Sequence, residues 1–259
     1  MSNIYKNRKQ DKLLPIEKEK LVVKLTQERF TLPSALQSKI DKHWEVLSEK
    51  KEPLFRGEVF TISKLEEIGG KIIVQVDLSD YAHYLYTRRI GLPEKTACKN
   101  MHTACLIETQ DGVLVFGRMG KATALPGNVQ CVGGGLDKED IFEDGLDLEH
   151  NIKKELMEEV GVDIADSFLV ADFSLKYLKY SSVIYSVAAI FILKLKITAK
   201  EFTESYKSFE AGLTTAGTLP EFGELIYLPK NKLALKNFHQ KEQAFLDHYM
   251  SSLLKEVIG

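Results

Sequence analysis

The sequence predicts an α+β fold, in which strands mix with two helices instead of alternating with them in a regular order. Two strand-like runs, 102–108 and 113–118, flank an Asp-Gly pair, and Asp-Gly between such runs is a strong hairpin signal. Residues 180–197 are rich in β-branched side chains, which is typical of a buried strand or strand pair. Residues 148–160 have helical spacing instead, and Gly161 follows them where a left-handed residue commonly ends a helix.

The first hundred residues predict an N-terminal accessory α/β segment. Residues 33–50 carry apolar side chains at helical spacing, and Pro53 would end this helix. Two short strands are expected at 58–63 and 71–77, separated by a turn at Gly69-Gly70.

The remaining elements follow the hairpin. A short strand is expected at 129–132, directly before three consecutive glycines, and another at 224–228, before a proline. Because the pattern changes near residues 91–99, we expect an N-terminal accessory subdomain at 1–98 and a larger domain at 99–259. The chain ends in a predicted amphipathic helix with apolar positions at Leu246, Tyr249, Met250, Leu253, Leu254 and Val257.

Composition and charge limit the classes of function that this chain can have. With 259 residues, 44% of them hydrophobic, the chain can form a catalytic domain with a sizeable additional part. The formal net charge of −2 argues against a dedicated nucleic-acid-binding protein, but it permits a small anionic substrate because a bound cation reverses the local field. The three cysteines have no metal-ligand spacing, and the sequence has neither a signal peptide nor a membrane span. These features predict a cytoplasmic protein without a membrane partner.

Three glutamates share one face of the helix predicted at 148–160. Glu155 lies one turn before Glu158 and Glu159, while the apolar residues of the helix point to the core. Like charges at this spacing repel by about 0.2–0.5 kcal/mol per pair on an exposed helix. A divalent cation would make the arrangement favourable, and oxygen ligands favour Mg²⁺ or Mn²⁺ over zinc. A solvated acidic face is the alternative, and on the helix alone it is the more common meaning of such a run.

The glycines before this helix are a second feature. A strand leads into Gly133-Gly134-Gly135, and residues 155–162 read Glu-Leu-Met-Glu-Glu-Val-Gly-Val. This run resembles the second half of the Nudix hydrolase motif, Gly-x5-Glu-x7-Arg-Glu-U-x-Glu-Glu-x-Gly-U with U a bulky aliphatic residue, at every position. The resemblance implies a Nudix-type mixed sheet between helices. It also implies that the catalytic and metal-binding residues are Glu155, Glu158 and Glu159, and that the Gly134 carbonyl adds a metal ligand.

The first half of the motif is altered. Gly135 lies 19 positions before Lys154, whereas the motif's glycine precedes its arginine by fourteen, so the loop has five extra residues. Lys154 replaces the arginine, and Leu146 replaces the motif's first glutamate. In the family these two side chains brace the loop against the helix. Another acid is therefore expected to do so here, and the loop at 136–147, with six acidic residues, is expected to border the active site. The candidate braces are Glu143, Asp144 and Glu149.

The resemblance implies metal-dependent hydrolysis of a nucleoside diphosphate linked to another moiety, with release of a nucleoside monophosphate. The partner is then a small nucleotide derivative and the cofactor Mg²⁺ or Mn²⁺. Residues 54–57, 80–81 and 86–89 are also similar to the N-terminal part of Nudix proteins that cleave UDP-sugars, which suggests a nucleotide sugar. An accessory subdomain that only packs on the core is the alternative. The rival function is a non-catalytic nucleotide-binding module, which the altered positions 146 and 154 favour.

Some further side chains are candidates for the site. Arg118 and Lys121 follow a predicted core strand and could contact phosphate oxygens, although simple solvation explains them equally well. The six histidines show no metal-ligand spacing. Candidates for an additional catalytic carboxylate are Glu210, Glu221 and Glu224.

Overall fold

The computed structural model describes residues 13–49, 55–123, 125–181 and 186–258, and Pro53 and Leu54 lie outside them. Within these residues there are two β-sheets and six α-helices, so the expected α+β fold is confirmed. The strands are β1 (Leu14–Pro15), β2 (Leu21–Arg29), β3 (Glu58–Ile68), β4 (Lys71–Asp80), β5 (Asn100–Glu108), β6 (Val113–Met119), β7 (Val129–Gln130), β8 (Ile141–Phe142), β9 (Gly145–Leu146), β10 (Val170–Ser181), β11 (Ser186–Leu195) and β12 (Phe222–Pro229). The helices are α1 (Ser34–Glu49), α2 (Tyr81–Ile90), α3 (Leu148–Val160), α4 (Ala199–Thr215), α5 (Lys232–Glu242) and α6 (Met250–Ile258).

The larger sheet runs in the order β1-β10-β11-β5-β6-β12, and β7 pairs with β6. Strands β11 and β5 are parallel, whereas the other pairs along this path are antiparallel. The expected hairpin is β5–β6, in which Ile107 pairs with Val115 and Gly112 adopts the positive φ of 73° that suits the turn. The sheet is therefore mixed, as expected.

Helices cover both faces of this sheet because successive side chains of its central strands point to two hydrophobic cores. Cys105 and Ile107 of β5 face one core, which contains Leu156 of α3 and Phe202 of α4. Leu106 lies between them and faces the second core, to which α5 and α6 contribute. No helix among the described residues is long and apolar enough to cross a membrane.

The smaller sheet runs in the order β3-β4-β2-β9-β8. Strands β3 and β4 form the expected hairpin around Gly69-Gly70, and both are longer than predicted. Strands β8 and β9 come from the loop at 136–147, and β9 pairs with β2 through Gly145 and Lys24. Conversely, β1, which belongs to the N-terminal part of the chain, pairs with β10 of the larger sheet. Each sheet takes strands from both sides of the boundary expected at residues 98 and 99, and the division into two parts stays a prediction.

The sequence interpretation missed strand β2 and helices α2, α4 and α5. Helix α4 nevertheless has a local signal, since Thr198 and Glu201 form a capping box at its start. Helix α2 occupies the aromatic stretch after β4, and it forms because Asp80 caps it by accepting from the His83 N–H at 2.9 Å.

Other predicted elements also differ in their bounds. The strand pair expected at 180–197 begins earlier, because β10 already starts at Val170. The C-terminal helix begins at Met250, since Leu246 forms a β-bridge with Val129 instead of continuing the helix.

Candidate active site

Helix α3 covers the residues that the sequence predicts, because both of its ends are fixed locally. The side chain of Asp147 accepts from the N–H groups of Glu149 and His150 at 2.9 and 3.0 Å. Gly161 ends the helix in the left-handed conformation with a φ of 69°. The three glutamates of α3 differ in exposure: Glu155 is half-buried, Glu158 exposed and Glu159 buried.

The glycine run at 133–135 brings the backbone against these carboxylates. The N–H of Gly133 donates to Oε2 of Glu159 at 3.0 Å. A Cβ atom at Gly134 would lie 2.2 Å from Oε1 of Glu155, so any side chain there would displace this carboxyl group. The carbonyl of Gly134 accepts from the N–H of Thr103 at 3.0 Å, which ties the run to β5.

A fourth carboxylate reaches the cluster from a distant part of the chain. Glu221 directly precedes β12, and its side chain interacts with all three glutamates of α3. Of the three additional acids proposed from the sequence, Glu221 is the one that the structure brings to the cluster. Glu224 pairs with Arg118 instead, and Glu210 lies near Tyr206 of α4.

Burial and neighbouring carboxylates raise the pKa values of Glu155, Glu159 and Glu221. Burial, followed by the charges of Glu221 and Glu158, raises the pKa of Glu155 to about 8. Burial, together with Glu221 and Glu155, raises the pKa of Glu159 well above its ordinary value. Burial also raises the pKa of Glu221, against the effect of its contact with Glu159. Without a cation, the cluster therefore retains protons at neutral pH.

The chemistry of this donor set fits a hard divalent cation. The side chain of Glu159 is buried, and apart from the N–H of Gly133 its described partner is another carboxyl group, that of Glu221. Mg²⁺ and Mn²⁺ prefer oxygen ligands, and their charge would relieve the repulsion between the carboxylates. In the part of the chain that the structure describes, no three His, Cys, Asp or Glu side chains are already gathered at metal-ligand distances. The groups that would hold a metal are those of Glu155, Glu158, Glu159 and the Gly134 carbonyl.

The altered loop is braced by acids other than those expected. The side chain of Asp140 is fully buried, and its Oδ2 accepts from the N–H of Asp137 at 2.8 Å and from Nδ2 of Asn151 at 3.0 Å. Nζ of Lys154 lies 3.0 Å from Oδ2 of Asp137 and 3.6 Å from Oδ1 of Asp140. Lys154 thus serves in place of the motif's arginine, and the two aspartates serve in place of its glutamate.

The acids expected to act as braces have other contacts, which corrects that prediction. Glu149 pairs with Lys18, and the backbone carbonyl of Asp144 accepts from the N–H of Leu25 at 2.9 Å. Glu143 occupies a tight turn with a positive φ of 53°. The loop pairs with β2 near its end, through Asp144 and Gly145, and braces α3 from its start.

A cleft of ≈ 1300 Å³ opens beside the carboxylate cluster. Gly133–Gly135 and Glu221 form part of its wall, and Leu136 is the residue of the acidic loop that lines it. Helix α2 contributes several side chains to the same cleft, so the N-terminal part lines it together with the glycine run. The α2 residues concerned are Tyr81, Tyr84, Leu85, Arg88 and Arg89.

The two phosphate contacts predicted from the sequence have different surroundings. Lys121 lines the cleft. Arg118 is held by two glutamates, with its Nε 3.1 Å from Oε2 of Glu224 and its Nη2 3.2 Å from Oε2 of Glu242. Arg118 therefore ties β6 to β12 and α5. The sequence interpretation missed the cations of α2 as cleft residues, although the run at 86–89 was a signal for them.

No protein-family model and no curated protein matches the chain. Several solved structures are similar to it. Nudix hydrolases are among them. A protein from Deinococcus radiodurans is 12% identical, with 62% of this chain and 83% of that chain covered and a TM-score of 0.41. A Nudix hydrolase from Nitrosomonas europaea is 13% identical, with coverage of 61% and 86% and a TM-score of 0.36.

A hydrolase of the Nudix family from Clostridium perfringens is 14% identical, with coverage of 62% of this chain and 96% of that chain and a TM-score of 0.33. Because the TM-scores are all below 0.5, the chemistry of the cleft has to be inferred from this chain's own side chains.

Proposed function

We propose that this chain is a metal-dependent pyrophosphohydrolase of the Nudix type. It would cleave a nucleoside diphosphate linked to another moiety and release a nucleoside monophosphate. The observation that carries the proposal is the convergence of four carboxyl groups on the glycine run at the wall of a large cleft. These carboxyl groups belong to Glu155, Glu158, Glu159 and Glu221.

Each group has a distinct role in this reaction. A bound Mg²⁺ or Mn²⁺ would neutralise the diphosphate and lower the pKa of a bound water. The glutamates of α3 and the Gly134 carbonyl would hold the metal, while Glu221, whose pKa is raised by burial, is placed to accept the proton of the attacking water. Attack at phosphorus breaks one P–O bond of the diphosphate. The products are a nucleoside monophosphate and the phosphorylated second moiety.

The cleft suits an anionic and partly aromatic ligand. Arg88 and Lys121 provide positive charge for phosphate oxygens, and Tyr81 and Tyr84 provide aromatic surface for a base. Its volume of ≈ 1300 Å³ is above the range of about 300–1,000 Å³ that is common for small-molecule sites. The cleft therefore has room for a second group beyond the nucleotide.

We further propose a nucleotide sugar as the substrate, in line with the N-terminal similarity to proteins that cleave UDP-sugars. Arg56 and Asp80 belong to the similar stretches, and they hold the start of helix α2 in place. Nε of Arg56 donates to Oδ2 of Asp80 at 3.0 Å, and Oδ1 of Asp80 caps the helix. The helix in turn carries Arg88 into the cleft. The similar residues thus support the wall that would contact the substrate.

A substrate panel tests the proposal. The intact protein is incubated with Mg²⁺ or Mn²⁺ and with nucleotide sugars, dinucleoside polyphosphates or oxidised nucleoside triphosphates, and release of nucleoside monophosphate is measured. We expect turnover that requires the metal and is fastest with nucleotide sugars. Glu204→Gln changes an exposed glutamate of α4 and is the control for substitutions in the cluster. Binding of nucleotides without turnover of any of them would favour the non-catalytic module instead.

A further inference from the structure

A polar cluster separate from the glutamates also lines the cleft. Oγ of Ser186 lies 2.8 Å from Nε2 of His248, and Nδ1 of His248 is in contact with Oδ1 of Asp247. The ring of His102 packs edge-on against that of His248, with centroids 5.2 Å apart. All four residues line the cleft. They come from β5, β11 and the segment before α6, so three distant parts of the chain meet here.

This cluster has unused hydrogen-bonding capacity. Nδ1 of His102 is buried and makes no hydrogen bond, whereas Oδ1 of Asp247 and Nδ1 of His248 are buried against each other. The side chains of Asp247 and His248 are only 13% and 14% exposed, so little solvent reaches them. Because buried polar atoms nearly always have a partner, the unsatisfied Nδ1 of His102 beside the cleft indicates a position that a ligand occupies.

The charge of the cluster decides which ligand fits. Burial, together with the neighbouring His248, lowers the pKa of His102 to about 3, so this ring is neutral. Burial would raise the pKa of Asp247, but contact with His248 outweighs it and the pKa is lowered. An ionised carboxylate beside a neutral imidazole and a hydroxyl accepts hydrogen bonds but does not itself attract phosphate, whereas the nearby Arg88, which acts on Asp247, does. The matching ligand is a neutral group with several hydrogen-bond donors.

The cluster lies next to the proposed reaction site. His102 forms a β-bridge with Gly135, and two residues earlier Gly133 donates to Glu159. The short glycine run therefore joins the polar cluster to the carboxylates. The glycine run, Glu221 and the polar cluster all line one cleft, so a ligand that extends along this cleft contacts both sites.

We propose that His102, Ser186, Asp247 and His248 form a subsite for a polyhydroxylated group, the sugar of a nucleotide sugar. This inference rests on the proposed function, because it assigns the moiety that is linked to the nucleoside diphosphate. The carboxylate of Asp247 accepts hydrogen bonds from sugar hydroxyls. Nδ1 of His102 makes the contact that is missing in the free protein, and the Ser186 hydroxyl, which is paired with His248, provides a further polar group.

Two ligands that share the nucleoside diphosphate test the subsite. One carries glucose, and the other carries an alkyl chain of similar size without hydroxyls. We expect Asp247→Asn and Ser186→Ala to lower kcat/KM for the glucose compound by about tenfold or more, because the site loses groups that bind hydroxyls. For the alkyl compound, kcat/KM should change by less than about twofold, since that ligand makes no such hydrogen bonds.

His239 and Ser251 provide the matched control, because they form another His–Ser pair, at 3.2 Å, away from the residues that line the cleft. Ser251→Ala should leave both substrates unchanged, and thermal melts show whether each variant is folded. An equal loss with both ligands, or no loss with either, would overturn the subsite. A changed preference between nucleobases that carry the same sugar would overturn it as well.

Calorimetric binding of the same two compounds separates two kinds of failure. If the wild-type protein cleaves neither compound, the proposed function is wrong, but the affinities still report on the subsite. A selective loss of affinity for the glucose compound in Asp247→Asn then supports the subsite. Equal affinities in variant and wild type overturn it.

Discussion

A Cβ atom at Gly134 would lie 2.2 Å from Oε1 of Glu155, and real Cβ atoms essentially never come closer than 3.0 Å to such a neighbour. A side chain at this position would therefore displace the Glu155 carboxyl group, and the backbone of Gly134 has no positive φ that would by itself favour glycine. At the next residue, Gly135, a Cβ atom would meet open space. A methyl group would therefore displace a carboxyl group at Gly134 but meet open space at Gly135.

Gly134→Ala is expected to lower metal-dependent turnover by about 100-fold, because it displaces Glu155 by a distance that matters for catalysis. Gly135→Ala should retain near wild-type activity and is the matched control. Steady-state kinetics with the preferred substrate, together with thermal melts, measure both effects. Similar activities in the two variants would contradict the assigned position of Glu155.

Glu158→Gln is expected to abolish metal-dependent turnover without unfolding the protein. Glutamine keeps the shape of this exposed side chain but gives up the charge that a hard cation requires. Added Mg²⁺ or Mn²⁺ should raise the melting temperature of the wild-type protein, because it binds only the native state, and the variant should lose most of this gain. An equal metal-induced shift in both proteins would identify the glutamate face as a solvated helix surface.

Asp140→Ala is expected to lower the free energy of unfolding by about 1–3 kcal/mol, because the N–H of Asp137 and Nδ2 of Asn151 lose a buried acceptor. Glu139→Ala removes a neighbouring acid that is 65% exposed, and it should have little effect. Urea unfolding of the two variants measures the difference. Equal unfolding free energies would show that the brace contributes nothing to stability.

The metal-free protein is expected to lose stability as the pH rises. The pKa of Glu155 is 4.5 ordinarily and about 8 in the folded chain, so its protonated form stabilises the fold fully below pH 4.5 and loses this effect as the pH approaches 8. Glu155→Gln cannot be deprotonated. Its melting temperature should rise relative to that of the wild type across this window, and melts in a metal chelator at several pH values test this. A constant difference would contradict the raised pKa.

Removing five residues from the loop at 136–147 is expected to change the relative rates across the substrate panel while metal binding is kept. The deletion restores the spacing of the motif but removes the contact between β9 and β2, through which the loop meets the N-terminal part. Relative rates are the measurement, and metal-induced melting shifts are the control. Unchanged relative rates would mean that the loop is only a spacer.

Helix α3 could be predicted from the sequence because its determinants are local. The cap at Asp147, the apolar spacing and the left-handed Gly161 all lie within or beside the helix. Glu221 could be named only as one of three candidates, since its approach depends on the pairing of β12 with β6, which local spacing does not contain.

The loop brace could not be predicted because the insertion changes which residue faces Lys154. Counting back along the motif leads to Leu146, which is buried in β9, whereas the acids that reach Lys154 lie at the start of the loop. The polar cluster of His102, Ser186, Asp247 and His248 could not be predicted from the sequence either. Its histidines lie far apart in the chain, and only the packing of β5 against the segment before α6 brings them together.

Strand β1 of the N-terminal part pairs within the larger sheet, and β9 of the later part pairs within the smaller sheet. This pairing limits how the protein can be divided, recombined or engineered. Each part supplies an edge strand to the other, so a fragment that ends at residue 98 leaves the edge of β2 bare, and the complementary fragment leaves β10 bare. Bare edges are templates for pairing with foreign chains. The N-terminal part is therefore not a module that could be transferred to another catalytic domain to change its substrate. A change of substrate requires substitutions on both sides of the cleft within this one chain.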